Sequence, residues 1–340
     1  MKEWTRIFLA ICFVGLAAPV IAKDDTVPVN LRNFARAETD RYFAAAVAQG
    51  NLGQFHHDRK VVPIENQIVI RSNRDTLYSS AVFDLTAPAT IEMPNTEGRF
   101  QSFLVINQDH YVKGIDYGPG VLKLTKEAVG SRYVVVIVRT LVKPDDPGDI
   151  AAAHAAQDAI TVRQSDQGAL ELPNWNRKML DTVRQKLIEL APFEPDTKGR
   201  FGDRSDVDPV NHLVGTAAAW GGNPPEAAAY FPVYPENASA DGSYTLTLRD
   251  VPVDGFWSVS VYNAKGFFQK NPHASYSVNN VTAKAEADGA VVVRFGGNSR
   301  LPNYLHLPGN GWNYILRLYR PRNEVLNGSW MPPALKPINP

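Results

Sequence analysis

Apolar positions along this chain change period three times. The segment Val29 to Gln49 carries Leu31, Phe34 and Ala45 near one helical face, with Asn30 placed to cap it and Gly50 to end it, and so predicts a helix. Short runs rich in β-branched and aromatic residues follow: Gln67–Ile70, Ser80–Phe83, Phe103–Ile106 and Tyr133–Val138. Gly, Pro, Asn and Asp separate them, which predicts an all-β region over 61–142. The run Tyr133–Val138 does not alternate, so its strand is expected to be covered on both faces. Helical spacing then returns. Ala151–Ile160 is alanine-rich, and Asn174–Leu190 repeats Met179, Leu180, Val183, Leu187 and Leu190 before Pro192. Asp208-Pro209 reads as a cap with proline in the first turn, and Gly221-Gly222 as the end of that helix. In the last third Tyr244–Leu248 and Trp257–Val261 alternate strictly, and Val291–Phe295 and Tyr314–Tyr319 complete a second set of strands. From Pro321 the proline-rich chain is expected to lie extended over the surface.

This pattern predicts a mixed, mainly β chain: an N-terminal β-sandwich with a leading helix over 23–147, a central helical insert over 148–235, and a jelly-roll-like β-sandwich with its tail over 236–340. One echo supports two similar sandwiches. Gly98-Arg99-Phe100-Gln101-Ser102-Phe103-Leu104-Val105-Ile106-Asn107 resembles Gly255-Phe256-Trp257-Ser258-Val259-Ser260-Val261-Tyr262-Asn263, one residue shorter.

The first 22 residues stand apart. Lys2 and Arg6 precede an apolar run from Ile7 to Leu16, and Val20-Ile21-Ala22 has the form of a cleavage site. The run is half the length of about 20 residues that a membrane span needs, so the expectation is a cleavable signal peptide over 1–22 and a bacterial protein that is periplasmic or secreted. Cys12, the single cysteine, would leave with it, which removes disulfides and thiol chemistry together. Cleavage also removes Lys2, Arg6 and Glu3 and leaves 33 basic and 34 acidic residues. That near-neutral balance argues against nucleic acid as a partner.

The ordered motifs resemble those of bacterial proteins that pair two domains of unknown function, families 1254 (N-terminal) and 1214 (C-terminal). The first half has Asn33-Phe34-x-Arg36-Ala37-Glu38-Thr39-Asp40, then Asn73-Arg74-Asp75-Thr76-Leu77-Tyr78-Ser79, close to the family's N-x-D-T-L-Y-S. Gly98-Arg99-Phe100 and Gln108-Asp109-His110-Tyr111 follow. The second half has Phe256-Trp257-Ser258-Val259, Tyr262, Asn271, Tyr276, Asp288-Gly289, Asn303, Leu305, Pro308, Leu316-Arg317-Leu318-Tyr319 and Gly328-Ser329-Trp330. Arg74 stands where proline is common, and Tyr304 where tryptophan is expected. The resemblance implies a multidomain fold and no established reaction.

Nucleophile-elbow, zinc-helix, phosphate-loop, dinucleotide and EF-hand signatures are absent. Three weaker clusters remain. Asn73, Asp75 and Tyr78 combine amide, carboxylate and phenol at the entry to a strand, suited to a polar ligand or to proton transfer and equally to a turn. Asp109 and Tyr111 would share a strand face opposite His110, with Arg99 as counter-charge; a strand-end aspartate bonding a loop is the structural alternative. His56-His57-Asp58-Arg59 reads as a solvated loop, because adjacent histidines on a strand diverge. Asp75, Tyr78, Asp109 and His110 are therefore the catalytic candidates. Asn73, Arg99, Tyr111, Trp257, Asn271 and Asn303 are the ligand-binding candidates, the last three because aromatic planes beside amides suit a glycan or another flat ligand.

Three functions compete. The first is an exported protein that binds a small polar or cell-envelope ligand between β-domains. The second is a periplasmic hydrolase or lyase using Asp/His/Tyr acid–base chemistry, with room for a divalent metal although no cofactor motif is evident. The third is a structural envelope partner. A homo-oligomer is compatible with each, and no stable membrane insertion is expected after cleavage.

Overall fold

The computed structural model describes residues 25–67, 70–194, 198–236 and 238–338. The signal segment 1–22 and Ile68 and Val69 of the first expected strand lie outside the described residues. The N-terminal unit opens with α1 (Phe34–Val47), then β1 (His56–His57), β2 (Thr76–Asp84), β3 (Ala89–Met93), β4 (Gln101–Asn107), β5 (Val112–Asp116) and β6 (Gly120–Leu124). It continues with α2 (Lys126–Val129), β7 (Tyr133–Leu141), α3 (Pro147–Asp158) and β8 (Thr161–Gln164). Next come α4 (Arg177–Leu190), α5 (Pro209–Ala218) and β9 (Ala228–Val233). The C-terminal strands are β10 (Ser243–Leu248), β11 (Trp257–Tyr262), β12 (Ser277–Asn279), β13 (Val291–Gly296), β14 (Tyr304–Leu305) and β15 (Asn313–Tyr319), followed by α6 (Asn323–Leu326) and β16 (Lys336–Pro337).

The chain is mainly β and builds several antiparallel sheets. A five-stranded sheet has the order β1-β2-β7-β4-β5, and β6-β3-β8 forms a second. Phe83, Ile91, Phe103, Val134 and Val136 fill the space between these two sheets. The opposite face of the large sheet packs Val82, Leu104 and Val135 against Phe43 of α1. The central strand β7 is thus covered on both sides, which is why its valines do not alternate with polar residues. In the last third, sheets β14-β13-β10-β16 and β12-β11-β15-β9 enclose Val259, Phe295, Leu316 and Trp312.

Several local expectations are corrected. The leading helix begins at Phe34, not after Asn30, and Leu31 and Ala45 are exposed. In α4 only Leu180 and Leu187 are buried; Met179 and Leu190 face outward. Gln67 is not in a strand. The histidines at 56 and 57 form a short strand on the edge of β2 instead of a loop. The segment expected as a helical insert also supplies β8 to the N-terminal sheets and β9 to the C-terminal ones. The tail is partly internal: Val325 enters the C-terminal core and Lys336 pairs with Thr245.

The echo in the sequence has a structural counterpart. Its two copies form β4 and β11, and their phenylalanines meet where the units join: Phe100 and Phe256 pack edge to face with centroids 5.1 Å apart, and both contact Tyr319.

Polar bonds complete that junction. Gln67 and residues 70–75 lie as a strap along the C-terminal unit. Gln67 exchanges two hydrogen bonds with the Phe268 backbone, and the Arg71 amide donates to the Gly266 carbonyl at 2.7 Å. Arg317, 3% exposed, donates to the Arg71 carbonyl at 2.7 Å, to Tyr262 Oη at 2.7 Å and to Ser260 Oγ at 3.1 Å. Tyr262 Oη in turn donates to the Ser72 carbonyl at 2.8 Å. The serine face of β11 is therefore buried despite its alternation. Removing one hydroxyl from this network should leave a buried carbonyl short of a donor. Tyr262→Phe is expected to cost about 1–3 kcal/mol in denaturant unfolding; an unchanged midpoint would mean that the strap does not hold the units together.

Candidate functional site

The candidate site is a cleft of about 1020 Å³ where the strap passes between the two units. The β-branched and proline-rich stretch Val61 to Ile64 forms one wall, Leu77 of β2 and Ile150 of α3 another, and Tyr276 closes the C-terminal side. Its size falls at the upper end of the roughly 300–1,000 Å³ usual for small-molecule sites. A second cavity of about 390 Å³, between α1 and the large sheet, shares Asp58 and Tyr78 with it.

Polar and charged residues share the lining: Asp58, Arg59, Lys60, Glu65, Arg74, Tyr78 and His154. Tyr78 stands opposite Arg139 in the β2–β7 ladder, so both project to one side, with the guanidinium 5.6 Å from the phenol ring centroid. Arg139 is buried and has no carboxylate; it donates to the Gly221 carbonyl at 2.9 Å and to Asn223 Oδ1 at 3.2 Å. His154 on α3 sits 2.9 Å from the Arg59 carbonyl through Nε2. A carbonyl only accepts, so Nε2 carries the proton and Nδ1 keeps its lone pair. Arg74 places its guanidinium 5.2 Å from the Tyr276 ring and 6.0 Å from Phe268, and Nη1 donates to the Val62 carbonyl. Burial depresses the affinity of Arg74 for its proton, against the favourable influence of Tyr276, Asp145, Glu65 and Asp75.

Of the catalytic and ligand-binding candidates, Tyr78 alone lines this cleft; Asp58 and Arg59 of the histidine cluster and Arg74 and Tyr276 of the motif series line it too. Asp75 is sealed in the junction, where Oδ1 accepts from Asn279 at 3.0 Å and Ser277 at 3.2 Å. Asn73 accepts from the Asp75 amide at 2.7 Å and donates to Tyr319 Oη at 2.8 Å. Trp257 is a core residue. Asn271 accepts from the amides of His273 and Ser275 and donates to the Ser275 carbonyl, and Asn303 ties Lys284 to Val292; both are occupied in closing their own loops. Arg99 does not meet Asp109: it makes a bidentate pair with Asp149, at 3.0 and 2.7 Å, on the wall of a different pocket of about 560 Å³.

Asp109 pairs instead with Arg36, at 2.7 and 2.6 Å, and shares a pocket of about 350 Å³ with Tyr111. Asp75, Tyr78, Asp109 and His110 thus do not converge. His110 is 1% exposed, and both ring nitrogens are engaged. Nε2 accepts from the Gly221 amide at 2.9 Å, so Nδ1 must donate to Thr216 Oγ1 at 2.8 Å. That leaves no lone pair for a substrate proton. The imidazole is one layer of an aromatic pile, Tyr42–Trp220–His110–His212–Tyr111, with successive centroids 4.1, 5.5, 5.6 and 4.6 Å apart.

The residues missed were Arg74 and His154. Arg74 was visible as a departure from the family's motif, while His154 sits in an alanine-rich helix that carries no chemical signature. Among the described residues, no three His, Cys, Asp or Glu side chains group to hold a metal ion, and no helix is long and apolar enough to cross a membrane.

Comparison with known proteins agrees with the motif series. Residues 52–120 match the model of a protein of unknown function, DUF1254, and residues 235–323 match that of another, DUF1214. The chain pairs a DUF1254 domain with a DUF1214 domain. The crystal structure of the VPA0106 protein from Vibrio parahaemolyticus is similar, with a TM-score of 0.67 at 17% identity over 91% of this chain and 98% of that one. An uncharacterised protein from Burkholderia cenocepacia gives 0.49 at 14% identity over 89% and 86%. None of the curated proteins compared with the chain matches it. The cleft thus lies where the DUF1254 strap crosses the DUF1214 domain.

The buried imidazole generates a pH signature. Burial, reinforced by the neighbouring His212, holds the proton affinity of His110 well below the ordinary value of 6.5, and burial lowers that of His212 as well. The unfolded chain therefore binds protons that the native chain refuses as pH falls below 6.5, and stability declines by up to about 1.4 kcal/mol per pH unit for each such histidine. Gln can reproduce both hydrogen bonds of His110 without titrating. His110→Gln should flatten the fall in Tm between neutral pH and pH 5; an unchanged slope would place the acid sensitivity elsewhere.

Proposed function

We propose that the protein is exported to the periplasm and there binds a small polar or cell-envelope ligand in the cleft between its two β-units. The observation that carries this reading is the cleft itself, a cavity of about 1020 Å³ in the N-terminal unit bordered by Tyr276 of the C-terminal one, with an aliphatic wall and polar groups that include Arg74, Tyr78 and His154. The His154 Nδ1 lone pair and the Tyr78 phenol supply an acceptor and a donor–acceptor, enough to orient a ligand whose bulk lies on Val61, Ile64 and Leu77. The junction is fastened by bonds outside the cleft, so the cavity is held open without a ligand. The binding reading needs no metal. Export is supported by the basic, apolar and small-residue parts of residues 1–22.

Both halves of the reading can be tested. Thermal-shift screening with sugars, peptides and organic acids should raise Tm for at least one class, since a ligand at a hundredfold excess over its Kd adds about 2.7 kcal/mol. Val62 lines the cleft but belongs to no core cluster, so Val62→Trp should fill the cavity, keep the fold and abolish the shift. A shift that survives this change would move the site elsewhere, and no shift across the panel would remove the binding function. For export, the protein in a bacterial periplasmic fraction should begin at Lys23; an intact Met1 in the cytoplasm is the contrary result.

A further inference from the structure

We infer that the ligand of this cleft is an amphiphile whose oxyanion head is held by Arg74 and whose apolar body lies along Val61, Ile64, Leu77 and Ile150. This rests on the cleft being the binding site, and goes beyond it by stating the ligand's chemistry.

The argument begins with how the chain treats its other arginines. Arg36, Arg59, Arg99 and Arg132 each meet a carboxylate. Arg317 and Arg139 are enclosed by carbonyl, hydroxyl and amide oxygens. Arg71, Arg200 and Arg320 also make no ion pair among the described residues, but they do not line the cleft. Arg74 does line it, and among the described residues its guanidinium makes one hydrogen bond, to the Val62 carbonyl, and no ion pair. A guanidinium has five N–H donors, so most of the fork is left for a partner. Asp145, Glu65 and Asp75 act on it only from a distance.

The same residue is held in place before any ligand arrives. Two aromatic faces, Tyr276 and Phe268, flank the guanidinium. Positioned in this way, the fork loses little freedom when it meets a planar or tetrahedral oxyanion, and it can bind two oxygens at once. The rest of the lining is mixed: Asp58, Arg59, Lys60, Glu65, Tyr78 and His154 share it with the aliphatic wall, while Arg59 is paired with Asp158 and Glu65 with Lys270. A strongly hydrated small anion would gain nothing from that aliphatic wall. An uncharged lipid would leave the guanidinium without its counter-charge. A ligand with an oxyanion at one end and an apolar body satisfies both surfaces.

Calorimetric titration of the purified protein with decanoate, decyl phosphate, 1-decanol and acetate tests this. At least one of the two decyl anions should bind about tenfold or more tightly than 1-decanol, as charge-assisted bonds to a fork require, and acetate should not register. The tighter of the two decyl anions identifies the head as carboxylate or phosphate. Arg74→Gln and Arg74→Met should each abolish the preference over 1-decanol while unfolding at the wild-type temperature; Met keeps the packing against Tyr276 without the charge. If 1-decanol binds as tightly as the anions, or the preference survives both substitutions, the inference is overturned. Val62→Trp separates this failure from that of the cleft: loss of all decyl binding in that variant keeps the site while the ligand class falls, and undiminished binding removes both. Failure of both decyl anions to bind the wild-type protein also overturns the proposed class, whether or not 1-decanol binds, and acetate binding alone would overturn the requirement for an apolar body.

Discussion

The contact on which this architecture depends is a cation bonded to bare backbone. The Arg317 guanidinium, inside the C-terminal unit, donates to the Arg71 carbonyl in the strap and to Tyr262 Oη, which itself donates to the Ser72 carbonyl. Carbonyls in an extended segment have no ladder partner, and burying them without donors costs free energy for each one. Arg317 removes that cost for neighbouring residues at once. Burial opposes its charge, yet the facing Tyr262 and Tyr319 and the Asp75 carboxylate more than offset this and keep the guanidinium protonated. Sheet pairing alone would leave two units free to move on a loop. A charged side chain across the gap gives them one geometry, and with it a cleft of fixed shape.

The same requirement gives the motifs of the two domains a common purpose. Asn73 and Asp75 of the N-x-D series bond to Tyr319, Ser277 and Asn279, while Tyr262 and Arg317 of the second series bond back to residues 71 and 72. Residues that looked like a catalytic carboxylate and its helpers are the fastening between DUF1254 and DUF1214. A carboxylate, an amide and a phenol close together have the composition of an acid–base site, and they also have the composition of a buried polar interface, here one in which Asp75 Oδ2 has no hydrogen-bond partner among the described residues. Only burial distinguishes the two, and burial across a junction has no period along either strand.

His110 shows a second limit of reading residues in line. Strand β4 ends in Asn107, whose Oδ1 accepts from the amides of Asp109 and Tyr111; β11 is followed directly by Asn263, whose Oδ1 accepts from those of Lys265 and Phe267. The residue three after each asparagine takes a left-handed φ, +65° at His110 and +84° at Gly266. The echo between the two segments was legible because it lies in local residue order, and it extended one turn further than the matching letters. At the equivalent position one copy has glycine, the conformationally cheap choice, and the other has a histidine that locks helix α5 to the sheet through Thr216 and Gly221. Most strands, the Asp208 cap and the doubly covered β7 were legible for the same local reason; the Asn30 cap and the strand expected at 67–70 were not. The pairing of Arg36 with Asp109, 73 residues apart, was not, nor was that of Arg99 with Asp149.

Position 74 lies between two residues that the junction uses. Asn73 and Asp75 bond to Tyr319, Ser277 and Asn279, while Arg74 between them lines the cleft. Proline, common at this place in the family's pattern, would line the cavity with carbons and leave the bonds of 73 and 75 in place. Arginine there adds a charge that the junction does not use: its one hydrogen bond goes to Val62, on the cleft wall. A half-buried cation costs stability unless something compensates it, and the two rings beside it do so only in part. The junction does not use this charge, and the proposed ligand is therefore assigned to it.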